Sequence, residues 1–208
     1  LHEEEKKLLL TCKDTIESGT PLRNLELTGT EKKLLSGFQM LSIKPVIVIY
    51  NISDTWLGKL ESELPQISKL QACPNMAVTS ICGEIELEIA QLDESDRIEF
   101  MKEMGIEEPG LNKFIRASYG LLGLISFFTV GKDEVKAWTV KKDTDALNAA
   151  GEIHSDIERG FIRAEIISYE DFKNCGSMSE GKKKGLVRLE GKKYVVQDGD
   201  IINFRFNV

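Results

Sequence analysis

Asn51 and Asp54 stand three positions apart at the end of Pro45-Val-Ile-Val-Ile-Tyr-Asn-Ile-Ser-Asp54. The residues before them, Val46 to Tyr50, form an apolar run rich in β-branched side chains. Such a run predicts a strand buried on both faces, as in parallel sheets. Ligands of open α/β sheets sit just beyond the carboxyl ends of such strands, so Asn51 and Asp54 mark a candidate binding site. The same residues also suit a plainer role, because Ser and Asp favour the cap of a following helix.

Other chemistry is sparse. The cysteines, Cys12, Cys73, Cys82 and Cys175, are widely spaced, and no pair has metal-ligand spacing. With only 2 histidines a zinc site is not expected. Scattered cysteines predict reduced thiols and a cytoplasmic location. Cys12 and Cys175 have no His or base nearby in sequence, so no thiol nucleophile is assigned. Glu84, Glu86, Glu88 and the Asp93–Asp96 cluster read as helix surface and caps. No apolar run is long enough for a transmembrane helix, and the start shows no signal-peptide pattern. No membrane partner is expected.

The net charge of −7 is unevenly distributed. Residues 1–123 carry 13 basic and 20 acidic side chains, whereas residues 124–208 carry 14 of each. The first part therefore lacks the basic face of a general nucleic-acid grip, and DNA is not expected as a partner.

The elements that position these residues follow from periodicity. Residues 1–18 predict an amphipathic helix with Leu8, Leu9, Cys12 and Ile16 on one stripe. Thr28 and Glu31 form a capping-box pattern before a helix presenting Leu34, Leu35, Phe38 and Leu41. That helix is expected to feed straight into the Val46–Tyr50 strand. A short helix carrying Trp56, Leu57, Leu60 and Leu64 is expected across Thr55–Ile67, checked by Pro65. Met76–Thr79 predicts a second strand ending at Ser80-Ile81-Cys82. Helices follow over Glu84–Leu92 and Asp93–Met104, then one opened by Pro109 with Leu111, Phe114, Ile115, Tyr119 and Leu122 on its apolar face. This alternation is the grammar of a parallel sheet with crossover helices. Two strands are too few for a complete doubly wound domain, and with the missing initiator Met this reads as part of a longer chain.

From Leu124 the pattern changes. Ile125–Val130 and Val135–Val140 predict a hairpin around Gly131–Glu134. A helix over Thr144–Glu152, a strand over Ile162–Ile167 and a helix over Tyr169–Asn174 follow. Short strands are expected at Leu186–Leu189, Lys193–Val196 and Ile201–Phe206. Gly176–Gly185 reads as the most flexible segment. The order predicts an α+β, ubiquitin-like β-grasp domain.

Three stretches carry a family resemblance: Phe127–Thr139, Ala149–Glu165 with its Glu-Ile-His154-Ser-Asp core, and Val195–Asn207. They resemble the YchF family, the Obg-like ATPases, and the match extends back through Gly105–Leu124 and Lys44–Asp54. The resemblance implies three parts: the end of a helical coiled-coil arm (1–19), the C-terminal part of an α/β P-loop nucleotide-binding domain (20–123) and an α+β β-grasp TGS domain (124–208). It also implies hydrolysis of ATP, or GTP in some members, with Mg2+, and association with ribosomes or ribosomal RNA. No Gly-x-x-x-x-Gly-Lys-Ser/Thr occurs in these 208 residues, so the chain alone is expected not to hydrolyse nucleotide or to bind it tightly. Carried over residue by residue, Asn51, Ile52 and Asp54 match the base-recognition motif, with Ile52 and Ile81 expected to flank the ring. Asp54 stands where the family usually has Glu, which leaves adenine against guanine open. Ser80, Ile81 and Cys82 match the second base-contacting loop. Within the TGS match, His154 could contact RNA or a partner, or could be a turn residue with a local hydrogen bond. Lys182, Lys183 and Lys184, with Arg188, Lys192 and Lys193, could form a phosphate-binding patch or a solvated loop. Phe127, Phe128 and Trp138 could stack on bases, though strand aromatics are usually core.

Overall fold

The computed structural model describes residues 2–57, 59, 65–131 and 134–207. The chain divides into two compact units, Leu1–Leu122 and Gly123–Val208.

In the first unit, helix α1 spans His2–Glu17. Leu8 and Cys12 bury with Leu22 and Leu35, packed around by Leu25, Leu27, Met40 and Ile43. Ile16, expected on the same stripe, is exposed. Helix α2 (Gly29–Leu35) starts with the expected capping box, Thr28 and Glu31 satisfying each other's backbone N–H groups. It stops at Leu35 rather than running to Leu41. Ser36 and Gly37 are weak helix formers, and the chain passes into 3-10 turns at Ser36–Phe38 and Leu41–Ile43, with Gln39 between them at φ 50°. Phe38 and Leu41 are thereby left exposed.

Strands β1 (Val46–Asn51) and β2 (Met76–Ile81) pair in parallel, Val46 opposite Met76 and Asn51 opposite Ile81. Burial of β1 on both faces is not observed: Ile49 is 44% exposed, and β2 is the one strand beside β1 among the described residues. Of the span Thr55–Ile67, where one short helix is expected, the described residues show a 3-10 turn at Asp54–Trp56 and helix α3 at Pro65–Gln71. Proline suits the first turn of a helix, where its missing N–H costs nothing, and Pro65 stands there in α3. Leu60 and Leu64 lie outside the described residues.

Helices α4 (Gly83–Gln91), α5 (Glu94–Glu103) and α6 (Gly110–Leu122) follow. Cys82, Ile85 and Ile89 form a second core with Ile52, Leu57, Phe100, Met101 and Ile106 against it. Asp93 caps α5 by accepting from Asp96 N–H at 3.0 Å. The apolar face expected on α6 is only partly covered, with Leu111, Ile115 and Leu122 exposed.

The second unit is built on a five-stranded sheet of order β4 (Val135–Lys141), β3 (Leu124–Val130), β7 (Asp200–Phe206), β5 (Phe161–Ser168), β6 (Arg188–Glu190). β3 (Leu124–Val130) and β4 (Val135–Lys141) form the expected hairpin; Lys132 and Asp133 of its turn lie outside the described residues. Helices α7 (Ala146–Ile153) and α8 (Ser155–Arg159) precede β5 (Phe161–Ser168). Helices α9 (Tyr169–Cys175) and α10 (Met178–Lys183) come next, then β6 (Arg188–Glu190) and β7 (Asp200–Phe206). β7 lies parallel to β3 and antiparallel to β5. Phe127, Ala146, Ala150, Ala164, Ile166, Ile202 and Phe204 build the core, where Phe127 meets Phe204 edge-on at 6.0 Å.

Two sequence expectations fail in this unit. The segment expected to be flexible, Gly176–Gly185, contains α10, capped by Ser177 accepting from Glu180 N–H at 3.2 Å. Gly181 fixes its seat, since a Cβ there would come within 2.7 Å of Ile167 Cδ1. The strand expected at Lys193–Val196 is an isolated bridge, Val195 to Asp145.

Candidate functional site

The parallel register places Asn51 and Ile81 side by side at the carboxyl ends of β1 and β2. Ile52 N–H then donates to the Ile81 carbonyl at 2.9 Å, carrying the ladder one step past the strands. Asn51 Oδ1 accepts from Gly83 N–H at 3.2 Å, one of the orphan donors at the start of α4. A side-chain Cβ at position 83 would lie 3.5 Å from the same oxygen. Asn51 thus ties the end of one strand to the helix that follows the other. Its Nδ2 has no partner among the described residues.

Asp54 is exposed and opens the 3-10 turn. One of its carboxylate oxygens accepts from Thr55 N–H at 2.7 Å, and the other has no partner among the described residues. Ser53 supplies no side-chain cap; its hydroxyl is 2.8 Å from that of Thr55. The plainer reading, a side-chain helix cap, is not observed here: Asp54 bonds only its neighbour's N–H, and half of the carboxylate is left over.

The residues grouped from sequence separate into different roles. Ile52 packs against the Cys82–Ile85–Ile89 core, and Cys82 is only 4% exposed. Cys82 can face a ligand through its backbone, with its thiol inside. Ser80, Ile81 and Cys82 line a cavity of about 270 Å³ with Leu57, Ile106, Glu86 and Lys113; Asn51, Ile52 and Asp54 do not.

Two residues that sequence reading took for helix surface or passed over organise this end of the unit. Glu86 Oε1 accepts from Gly110 N–H at 2.6 Å and Oε2 from Leu111 N–H at 3.4 Å. A carboxylate from α4 thus caps α6, where a helix N-terminus favours negative charge. Gly110 permits this approach: a Cβ would meet Ile81 Cγ1 at 2.9 Å and Glu86 Oε1 at 3.0 Å. Proline followed by glycine at a helix start was the signal available in sequence.

In the second unit, His154 Nδ1 accepts from Asp156 N–H at 3.1 Å, capping α8 while its own backbone closes α7. The proton of the neutral ring therefore sits on Nε2. The lysine patch is divided by pairing. Lys182 Nζ reaches Glu165 Oε2 at 2.9 Å, and Lys183 Nζ reaches Glu180 Oε1 at 2.7 Å. Lys184, Lys192 and Lys193 are exposed. Arg188 donates to the Tyr194 hydroxyl at 3.1 Å, which donates to the buried Asp200 at 2.8 Å. Burial, then the Asp200 carboxylate, pushes the Tyr194 phenol up. Phe127 is core, and Trp138 donates to Thr129 Oγ1 at 3.0 Å with Lys136 Nζ 4.0 Å over its ring.

Glu165 is the charged centre of this unit, 3% exposed. Beyond Lys182 it accepts from Asn203 Nδ2 at 2.9 Å and from the Arg205 guanidinium. Burial alone would raise its carboxyl, but hydrogen bonds from Lys182, Asn203 and Arg205 outweigh that and hold it at about 2, against 4.5 ordinarily.

Among the described residues no group of three or more His, Cys, Asp or Glu could hold a metal ion, and no helix is long and apolar enough to cross a membrane.

A parallel strand pair with its carboxyl ends bridged to a helix N-terminus, followed by a unit built on a five-stranded sheet, makes this a mixed α/β chain. Its fold matches the YchF GTPase of Schizosaccharomyces pombe with a TM-score of 0.81 at 30% identity, covering 98% of this chain and 55% of that one. A GTP-binding protein of Pyrococcus horikoshii shares the fold at a TM-score of 0.57 and 16% identity, covering 96% of this chain and 67% of that one. The YchF-GTPase_C family model, described as a protein of unknown function (DUF933), matches residues 124–207. The chain is 45% identical to the ribosome-binding ATPase YchF of Bacillus subtilis over 206 residues, 98% of this chain and 56% of the relative. It is 42% identical to that of Escherichia coli O157:H7 over 204 residues, with the same two shares. The chain belongs to the YchF family and spans about 56% of the length of these curated relatives.

Proposed function

We infer that residues 20–123 form the base-recognition side of a P-loop nucleoside triphosphatase, that residues 1–19 end a helical arm, and that residues 124–208 are a β-grasp TGS domain. The observation that carries the site is the Asn51–Gly83 hydrogen bond, which brings the Asn51–Asp54 and Ser80–Cys82 segments together at the strand ends. Asn51 Nδ2 offers a donor and the unpartnered Asp54 oxygen an acceptor, a combination suited to the edge of a purine. The backbone after β2 approaches the ring, with Cys82 Sγ turned into the core. Ile81 flanks the ring, whereas Ile52 contributes mainly to the core.

Phosphoryl transfer from ATP or GTP would be supplied by sequence outside these 208 residues. The family resemblance implies Mg2+ with the nucleotide. The described residues present no cluster fit to hold it, so no step is assigned through it on this chain. The curated relatives carry the name ribosome-binding ATPase. That name supports the ribosome as the partner of the complete protein and, with it, action in the cytoplasm.

The test is calorimetric titration of ATP and of GTP into protein of the relatives' length, with Asn51→Ala and Asp54→Ala beside the parent. Each variant is expected to weaken nucleotide binding about fivefold or more, since a lost base-edge pair leaves polar groups unmatched in the complex at about 1–3 kcal/mol. Asp54→Glu is expected to move the ATP/GTP ratio toward ATP. Binding that ignores all three substitutions overturns the assignment.

A further inference from the structure

The amino ends of β1 and β2 close on a second cavity. Pro45 and Asn75, which precede the two strands, line a pocket of about 360 Å³. Strands of six residues separate it from the proposed base site, about 17 Å at a rise of ~3.3 Å per residue.

The floor of this pocket is apolar. Leu22 and Leu35 are buried beneath it, and Leu25, Leu27, Met40 and Ile43 form its walls. Its ionisable lining is cationic throughout: Arg23, Lys32 and Lys44, with no carboxylate. This is unexpected in a segment where acidic residues outnumber basic ones, 20 against 13 over residues 1–123. Among the described residues none of the three has an ion-pair partner.

The rim is also built in advance. Arg23 Nε donates to the Lys44 carbonyl at 3.0 Å, and Asn75 Nδ2 donates to the Arg23 carbonyl at 2.7 Å. The neutral polar groups are spent locally, Gln39 Nε2 on the Ser36 carbonyl at 2.7 Å and Ser36 Oγ on the Lys33 carbonyl at 2.7 Å. What faces an occupant is therefore hydrocarbon below and uncompensated positive charge at the mouth. Ligand sites are mostly apolar clefts of about 300–1,000 Å³ with a few placed polar groups.

We propose that this pocket binds a small amphipathic carboxylate, a hydrocarbon body in the Leu22–Leu35–Met40 cleft and one anionic head between Arg23, Lys32 and Lys44. The assignment is independent of the nucleotide reading, because it uses the opposite ends of the strands.

The experiment is isothermal titration of dodecanoate, kept below its micellar concentration, into the 208-residue chain. Dodecyltrimethylammonium serves as the probe of equal length and opposite charge. One saturable dodecanoate site is expected, weakened by added salt and weakened about tenfold or more by Lys32→Glu with Lys44→Glu. Both lysines are exposed, and an unchanged thermal transition verifies that the double variant folds. Met40→Trp, which fills the cleft, is expected to abolish binding with the cations intact. Absence of saturable dodecanoate binding overturns the proposal. So does equal affinity for the ammonium probe, or affinity unchanged in the double variant.

Discussion

Replacing Glu165 by Gln tests whether charge, rather than packing, holds the second unit together at its buried carboxylate. A carboxyl lowered from 4.5 to about 2 is linked to roughly 3 kcal/mol at about 1.4 kcal/mol per pH unit. The partners temper this: the Lys182 and Arg205 side chains are 45% and 55% exposed, which admits solvent screening and brings the expected loss toward about 2 kcal/mol. Because the folded carboxyl is depressed, its contribution is complete above about pH 4.5, declines as pH falls, and is gone near pH 2. Parent and Glu165→Gln should therefore differ most near neutrality and converge in acid. Trp138 lies in the second unit and Trp56 in the first. A Trp56→Phe background lets urea unfolding followed by fluorescence report the second unit alone. A stability difference of about 2 kcal/mol near pH 7 that shrinks by more than half near pH 3 is expected. A difference that stays constant over that interval would refute the electrostatic account and leave side-chain packing as the cause.

Four further substitutions probe devices inside each unit. Thr28→Ala removes the capping box of α2 and should cost about 1 kcal/mol in thermal or urea unfolding of the first unit. Gly110→Ala forces a methyl group against Ile81 and the Glu86 carboxylate; a loss of about 1–3 kcal/mol is expected, and Glu86→Ala in the same background should cost less than it does alone. Tyr194→Phe leaves Asp200 without its hydroxyl donor while Gln197 N–H still binds it at 2.9 Å. A loss of about 1–2 kcal/mol in the second unit is expected, and the perturbed phenol should vanish from an ultraviolet pH titration.

Legibility in the sequence followed the range of the interactions. Periodicity found β1, β2 and most helices because apolar spacing is local, and the Thr28–Glu31 box was readable because both partners lie within one turn. The failures came where distant residues decide. Gly176–Gly185 looks flexible by composition, yet Gly181 seats against Ile167 and Lys182 on Glu165, two contacts that exist only after β5 is in place. Phe38 and Leu41 fit a helical stripe, but the helix ends at Leu35 and leaves them outside. The lysine run reads as a single patch in one dimension. In three, its first two members are paired to carboxylates and only Lys184 is left unpaired among the described residues.

At the candidate site the same distinction separates the two halves of the Asn51–Asp54 motif. Asn51 looked like a ligand contact and also proves to be a strut, since its side-chain Oδ1 accepts from Gly83 N–H across 32 residues of sequence. A substitution there disturbs the α4 N-terminus together with any bound base, so loss of affinity in Asn51→Ala cannot by itself assign a contact. Asp54 has no such duty: it bonds only its neighbour Thr55 and stands exposed. Its replacement should leave the unit's stability within about 0.5 kcal/mol, as surface substitutions do. Any change in the ATP/GTP ratio at Asp54 therefore reports recognition of the base directly, and the Asp54→Glu exchange is the sharper discriminator of the two.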